Sequence, residues 1–426
     1  MTDATAVKTA IADAHRREWA RVLAATVRLA QDLDLAEDSV QEAYASALDG
    51  WVRAGIPDNP AAWLTATAKR RVIDAIRRDK ALRSRLPLLV EPEEAADEVG
   101  RHGFTAPAVG DPAEAVPDER LRLIFTCCHP ALAAEAQAAL TLRLVCGVAT
   151  PDIARAFLVS EPAMRARITR AKRKISTARI PFRVPAPAEL PERLRGVLAV
   201  IHLLFTTGHT APSGASLVRS ELVDQAMHLA RMLRELMPGE AEVRGLYALL
   251  LVTDARRATR AGAGGRLVRL EDQDRSQWDR AALAEADDLI TACLRAGPPG
   301  RYVLQAAIAA LYADAPSYDQ TDWPQILTLY DHLLEVWPSP VVALNRAVSL
   351  AMVAGPEAAL AEVERLEADK RLSGYQYLPA IKADLLSRTG RTVEAADAYR
   401  EAFSLAANEA ERAFLAEQIA DHTLLS

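Results

Sequence analysis

"TPDIARAFLVSEPAMRARITRAKRKI" (residues 150–175) divides into two helix-forming runs, and the second carries six Lys or Arg residues within positions 165–175. In that run Met164, Ile168, Ala171 and Ile175 recur at i, i+4, i+7 and i+11, the seam of one buried helix face. Arg165, Arg167, Arg170, Lys172, Arg173 and Lys174 take the remaining surface. Ser160 suits the N-cap, and Pro162 lies in the first turn, where a missing N–H costs little. Upstream, Thr150 suits the N-cap of the first helix, Pro151 its first position, and Ile153 and Phe157 its apolar contacts. Residues 158–160 separate the two. The outline is a helix-turn-helix with a basic second helix. A merely solvated face mixes signs for i, i+4 pairing, whereas this one has no acid after Glu161, which predicts nucleic acid against it.

That positive charge contrasts with the chain around it, which has 426 residues and a formal net charge of −6. Half the residues are apolar and β-branched and aromatic residues are few, so the expected fold is all-α. No apolar run reaches the roughly 18 to 20 residues needed to span a bilayer, and the N-terminus lacks an apolar signal core, so a cytoplasmic location with no membrane partner is expected. Four Cys residues provide no disulfide framework. Within "TCCHP", Cys128 continues the stripe of Leu121, Ile124 and Phe125, so core packing is expected at Cys127 and Cys128. Cys146 and Cys293 supply no second ligand pair beside His129, so neither metal nor cofactor is expected.

A second basic helix, "WLTATAKRRVIDAIRRDKALRSR" (63–85), has eight basic residues against Asp74 and Asp79, with Leu64, Ala68, Val72, Ala75 and Ile76 as its apolar side. Ahead of it, "DLAEDSVQEAYASALDGW" (34–51) repeats Val40, Tyr44, Ala47 and Trp51 on one side and Glu37, Asp38, Gln41 and Glu42 on another. That acidic face repels DNA, so it is either solvated or a protein-docking surface; spacing alone favours solvation. Residues 86–118 contain eight acids, one Arg and several Pro and Gly without a helical period, and are expected to form a flexible acidic linker. Four prolines in 180–191 mark a second, semi-extended linker. The expected domains are therefore 1–85, 119–180 and 192–426, joined by linkers 86–118 and 181–191.

The segments "DLAEDSVQEAYASAL" and "WLTATAKRRVIDAIRR" resemble regions 2.1 to 2.4 of bacterial sigma factors of the extracytoplasmic-function (ECF) group. "LTLRLVCGVATPDIARAFLVSEPAMRARITRAKRKI" resembles their region 4. Beyond residue 190, "LFTTGHTAPSG", "LEDQDRSQWDR" and "PSPVVALNRAVSLAMVAGPEAAL" resemble the ECF subgroup with a long tetratricopeptide-like C-terminal extension. The resemblance implies two small helical sigma domains joined by the acidic linker, then a helical-repeat domain, and a non-enzymatic role in promoter recognition and transcription initiation.

What the resemblance implies is specific by residue. Asp38, Gln41 and Glu42 become the face that docks on the β′ clamp helices of core RNA polymerase, with the β flap as a further contact. Lys69, Arg70, Arg71, Arg77 and Arg78 lie along the minus-ten element and neutralise phosphates. Asp58 and Asn59 sit in the loop where such proteins hold a flipped base of the melted strand. Arg165 and Arg167, near the helix N-terminus, are the readers of the minus-thirty-five major groove, supported by Arg170, Lys172 and Arg173.

In the C-terminal half, 342–366 and 380–405 read as helix pairs whose turn glycines, Gly355 and Gly390, lie 35 residues apart. The tetratricopeptide period is about 34 residues. A helical array that contacts a regulatory protein is expected. His209, in "GHTAPSG", lacks partner carboxylates and is taken as structural, as are Asp254, Arg256, Arg257 and the run Asp272 to Arg275. The alternatives are a one-component helix-turn-helix regulator with a helical sensor domain and an enzyme localised by its basic helices.

Overall fold

The computed structural model describes residues 4–85, 119–157, 159–211, 217–262 and 265–424. The expected acidic linker, 86–118, lies outside them. Among the described residues the regular structure is helical; no strand forms beyond an isolated bridge between Ala261 and Leu267. The chain divides into two compact units, Met1–Val200 and Ile201–Ser426.

The first unit opens with α1 (Ala4–Ala30), α2 (Leu33–Ala54) and α3 (Pro60–Arg85). The apolar stripe of α2 is buried at Val40, Tyr44, Ala47 and Trp51, where it meets Trp19, Leu23 and Val27 of α1 and Leu64, Ala68 and Val72 of α3 in one core. Asp32 caps α2 by accepting a hydrogen bond from the Leu35 N–H at 2.8 Å. Gly55, at φ +93°, ends it. Asn59 caps α3, its Oδ1 accepting from the Ala62 N–H at 3.0 Å, and Pro60 takes the first position.

Next come α4 (Glu119–Cys127), α5 (Ala134–Leu140) with a π-helical turn over Thr141–Val145, α6 (Thr150–Ala156) and α7 (Glu161–Thr177). The seam predicted for α7 is buried at all four positions. Ser160 caps it, accepting from the Ala163 N–H at 3.4 Å. The start of α6 differs by one residue from expectation: Ala149 holds the cap position, and Thr150 is already helical.

The segments expected as two domains pack together within this unit. The Trp19 indole N–H donates to the Leu144 carbonyl at 3.0 Å. Gly147, at φ +70°, passes so close to α1 that a Cβ there would lie 2.8 Å from Trp19 Cγ. After the non-helical segment 180–189, α8 (Leu190–His209) begins in the first unit, where Arg193 Nη2 donates to the Phe125 carbonyl at 2.6 Å.

The second unit is an array of sequentially packed helices: α9 (Ser220–Leu236), α10 (Ala241–Asp254), α11 (Arg280–Ala296), α12 (Arg301–Asp314), α13 (Trp323–Val336), α14 (Pro340–Ala354), α15 (Pro356–Leu366), α16 (Tyr377–Arg388), α17 (Thr392–Leu405) and α18 (Glu409–Leu424). Both predicted helix pairs form, as α14–α15 and α16–α17, each turning on a left-handed glycine, Gly355 or Gly390. Their core joins Leu344, Leu360, Val363, Leu385 and Tyr399, so each pair buries its apolar face on the next. α10 is central. Gly245 lets it approach α12 closely, since a Cβ would meet the Val303 backbone nitrogen at 2.7 Å.

Candidate nucleic-acid interface

The cationic side of α7 is built by its own register. With Met164, Ile168 and Ile175 held in the core, Arg165, Arg170, Arg173 and Lys174 are exposed and Arg167 is half-exposed. Arg165 pairs with Glu161 one turn earlier. Lys172 corrects the sequence reading. Expected on the DNA face, it is 9% exposed, with Nζ 2.6 Å from both Asp34 Oδ1 and Glu37 Oε2 of α2. The reason is spacing: Met164, Ile168 and Lys172 follow at i, i+4 and i+8, so Lys172 continues the buried ridge. Burial by itself depresses the ammonium pKa and is the largest single influence. The Glu37 and Asp34 carboxylates outweigh it and hold the pKa above its ordinary value.

On α3, Arg70, Arg77 and Arg78 are exposed and Lys69 is half-exposed. Arg71 is engaged internally: Nη1 lies 2.6 Å from Glu42 Oε2, and Nη2 donates to Ser46 Oγ at 2.8 Å. One of the expected phosphate contacts therefore braces α3 against α2.

Asp38, Gln41 and Glu42 project from α2 at i, i+3 and i+4 and are exposed. Burial raises the Asp38 pKa, and the neighbouring Glu37 charge adds to it. Glu37, read as part of the same acidic face, is 4% exposed and turned inward. It meets Lys172, Arg143 and the Gln41 amide, whose Nε2 donates to Glu37 Oε1 at 2.9 Å. The Leu33, Glu37, Val40, Tyr44 spacing carries that signal, but no spacing identifies Arg143 as its partner. Asp58 and Asn59 are both exposed in the loop before α3, with Asn59 engaged as the cap.

Cys127 and Cys128 are buried, and the Cys128 thiol lies 3.5 Å from Thr141 Oγ1. Burial pushes the Cys128 thiol up to about 11, so it sits as a neutral core group. In the second unit His209 stacks on Phe205 and meets the Thr253 carbonyl at 3.2 Å. Arg275 donates to the Tyr312 and Ala315 carbonyls at 2.6 and 2.8 Å, and Asp254 pairs with Arg257 at 2.6 Å.

Two cationic helical surfaces thus share one unit with an exposed anionic ridge. The Sigma-70 region 2 model matches residues 8–82, most of the stretch from α1 to α3, and the Sigma-70 region 4 model matches 122–175, most of that from α4 to α7. The chain belongs to the sigma-70 family. Its two sigma regions occur in the ECF order, followed by the helical extension, and its role is the sigma-factor-like one in transcription initiation, a DNA-binding and non-enzymatic function in this family. A family of unknown function (DUF6596) matches residues 193–294 of the extension. An uncharacterized protein of Rhizobium meliloti (strain 1021) is 44% identical over 402 residues, covering 94% of this chain and 93% of that protein. Among the described residues no helix is long and apolar enough to cross a membrane.

Proposed function

We propose that this sigma-70 family member binds core RNA polymerase through Asp38, Gln41 and Glu42 and directs it to promoters of two-element architecture. α3 lies along the minus-ten element, with Lys69, Arg70, Arg77 and Arg78 on phosphates. Asp58 and Asn59 border the melted strand. α7 enters the major groove at minus thirty-five, with Arg165 and Arg167 nearest the base edges and Arg170 and Arg173 on the backbone. The C-terminal helical unit modulates this activity. The observation that carries the reading is the α7 register, which leaves an uninterrupted cationic face on a capped second helix of a helix-turn-helix.

Run-off transcription with the full chain and purified core polymerase tests it. Arg165→Ala with Arg167→Ala is expected to abolish promoter-specific transcripts while core binding persists, since a bidentate Arg–guanine contact is worth about 1–3 kcal/mol of discrimination. Asp38→Arg is expected to prevent co-purification with core polymerase. Asp38 is the cleaner choice for that test, because changing Glu42 also releases Arg71. Undiminished run-off by the double variant sinks the assignment of α7, and a chain that binds DNA but never starts transcripts is a one-component regulator.

A further inference from the structure

The second unit contains a cleft that the sigma function does not use. Two adjoining lobes, of about 340 Å³ and 420 Å³, share His202, Leu249, Thr253, Gln305 and Asn345 as walls. Small-molecule sites typically occupy about 300–1,000 Å³ and combine apolar walls with a few convergent polar groups. This cleft has that composition. Trp278, Tyr312, Tyr330 and Trp337 supply aromatic walls to the first lobe, and Arg256 supplies its one formal positive charge.

Charge makes the cleft unusual. No Asp or Glu lines either lobe among the described residues. Among the described residues the Arg256 side chain makes no hydrogen bond or ion pair, although Arg257 beside it is clamped by Asp254 and Asp224. Behind the walls, Arg260 donates to the His209 carbonyl and to Thr210 Oγ1, and Arg275 donates to backbone carbonyls. Arg301 rests on the Trp337 ring. None of these four guanidinium groups pairs with a carboxylate among the described residues. Burial is the first influence on each, lowering its pKa, and brings Arg260 down to about 10. Uncompensated buried charge is costly unless a counter-charge arrives.

We propose that this cleft is a binding site for a small organic anion. Its carboxylate or phosphate-ester head pairs with Arg256, and its ring-sized apolar body lies between Trp278, Tyr312 and Tyr330. Guanidinium groups match both kinds of head through parallel N–H donors, and the aromatic walls take the apolar part. The inference concerns the extension alone and stands whether or not the promoter assignments hold.

Fluorescence titration of the full chain with anilinonaphthalene sulfonate tests it, beside the uncharged N-phenyl-naphthylamine of the same ring system. The sulfonate is expected to bind at one equivalent and about tenfold or more tighter than the neutral probe, as a charge-assisted contact requires. Benzoate or phenyl phosphate is expected to displace it, and the more effective of the two identifies the head. Ala309→Trp, which fills the first lobe, is expected to remove binding of both probes. Arg256→Gln is expected to weaken the sulfonate about tenfold and leave the neutral probe unchanged. Equal affinities for the two probes, displacement by neither competitor, or unchanged binding to Ala309→Trp each overturn the proposal. If Arg256→Gln loses its cooperative melting transition, the two-probe comparison on the parent chain decides the charge requirement and Ala309→Trp decides the place.

Discussion

Lys172 and Arg173 are adjacent cations on one helix with opposite roles. Arg173 is exposed, whereas Lys172 is held between Asp34 and Glu37. Removing one member of a buried ion pair leaves the other desolvated and unpaired, at a cost of about 3–5 kcal/mol. Lys172→Ala is therefore expected to destabilise the first unit by about 3 kcal/mol, at the lower end because Arg143 still neutralises Glu37. Chemical unfolding of the full chain, monitored for the first unit, measures this. Lys174→Ala, on the exposed side, is expected to stay within about 0.5 kcal/mol. Glu37→Gln added to Lys172→Ala is expected to deepen the loss, because it leaves the Arg143 guanidinium without its carboxylate. Composition and charge counting treat all six cations of 165–175 alike; only their position around the helix separates them, and the i, i+4 ridge through Met164 and Ile168 was the legible clue.

At the scale of elements, helix limits and apolar stripes were largely legible because they depend on near neighbours. The seams of α2 and α7, the Ser160 cap and the Gly355 and Gly390 turns all follow from spacing and local backbone chemistry. The π-helical turn at Thr141–Val145 and the close passage of Gly147 did not, because they answer to α1, more than a hundred residues earlier. Gly147→Ala meets two penalties. A left-handed backbone costs a non-glycine residue roughly 1–2 kcal/mol, and the new Cβ would fall 2.8 Å from both His15 Cε1 and Trp19 Cγ. The expected outcome is a lower melting temperature and faster hydrogen exchange at the Trp19 indole N–H, whose bond to the Leu144 carbonyl depends on that approach. Unaltered exchange at that N–H would show that the turn accommodates a side chain.

For the whole molecule, the buried His209 and the half-buried His202 of the second unit give stability a defined pH response. Burial pushes His202 down to about 4, reinforced by Arg301. Burial also brings His209 down to about 3, with Arg260, Arg256 and Arg257 adding to the effect while the Thr253 carbonyl opposes it. Between these folded-state values and the ordinary value of 6.5, the unfolded chain binds protons that the folded chain refuses. Stability is thus full above about pH 6.5 and falls as pH drops towards the folded values, by up to about 1.4 kcal/mol per pH unit for each group. The second unit is expected to melt at a lower temperature at pH 5 than at pH 7, and His209→Gln is expected to flatten that slope. Melting curves across this range check it, with a slope unchanged by the variant counting against His209.

Residue spacing was enough for the all-helical class, the order of the two sigma regions and the cationic side of α7, because helix register is a local property read at three- and four-residue intervals. Long-range packing settled that Lys172 closes on Glu37 across 135 residues of chain, that Glu37 leaves the acidic ridge, and that Arg256 faces a cleft with no carboxylate among its described walls. Those outcomes turn on which distant charges meet once water is excluded, and the pairing of buried charges is set by packing rather than by spacing along the chain.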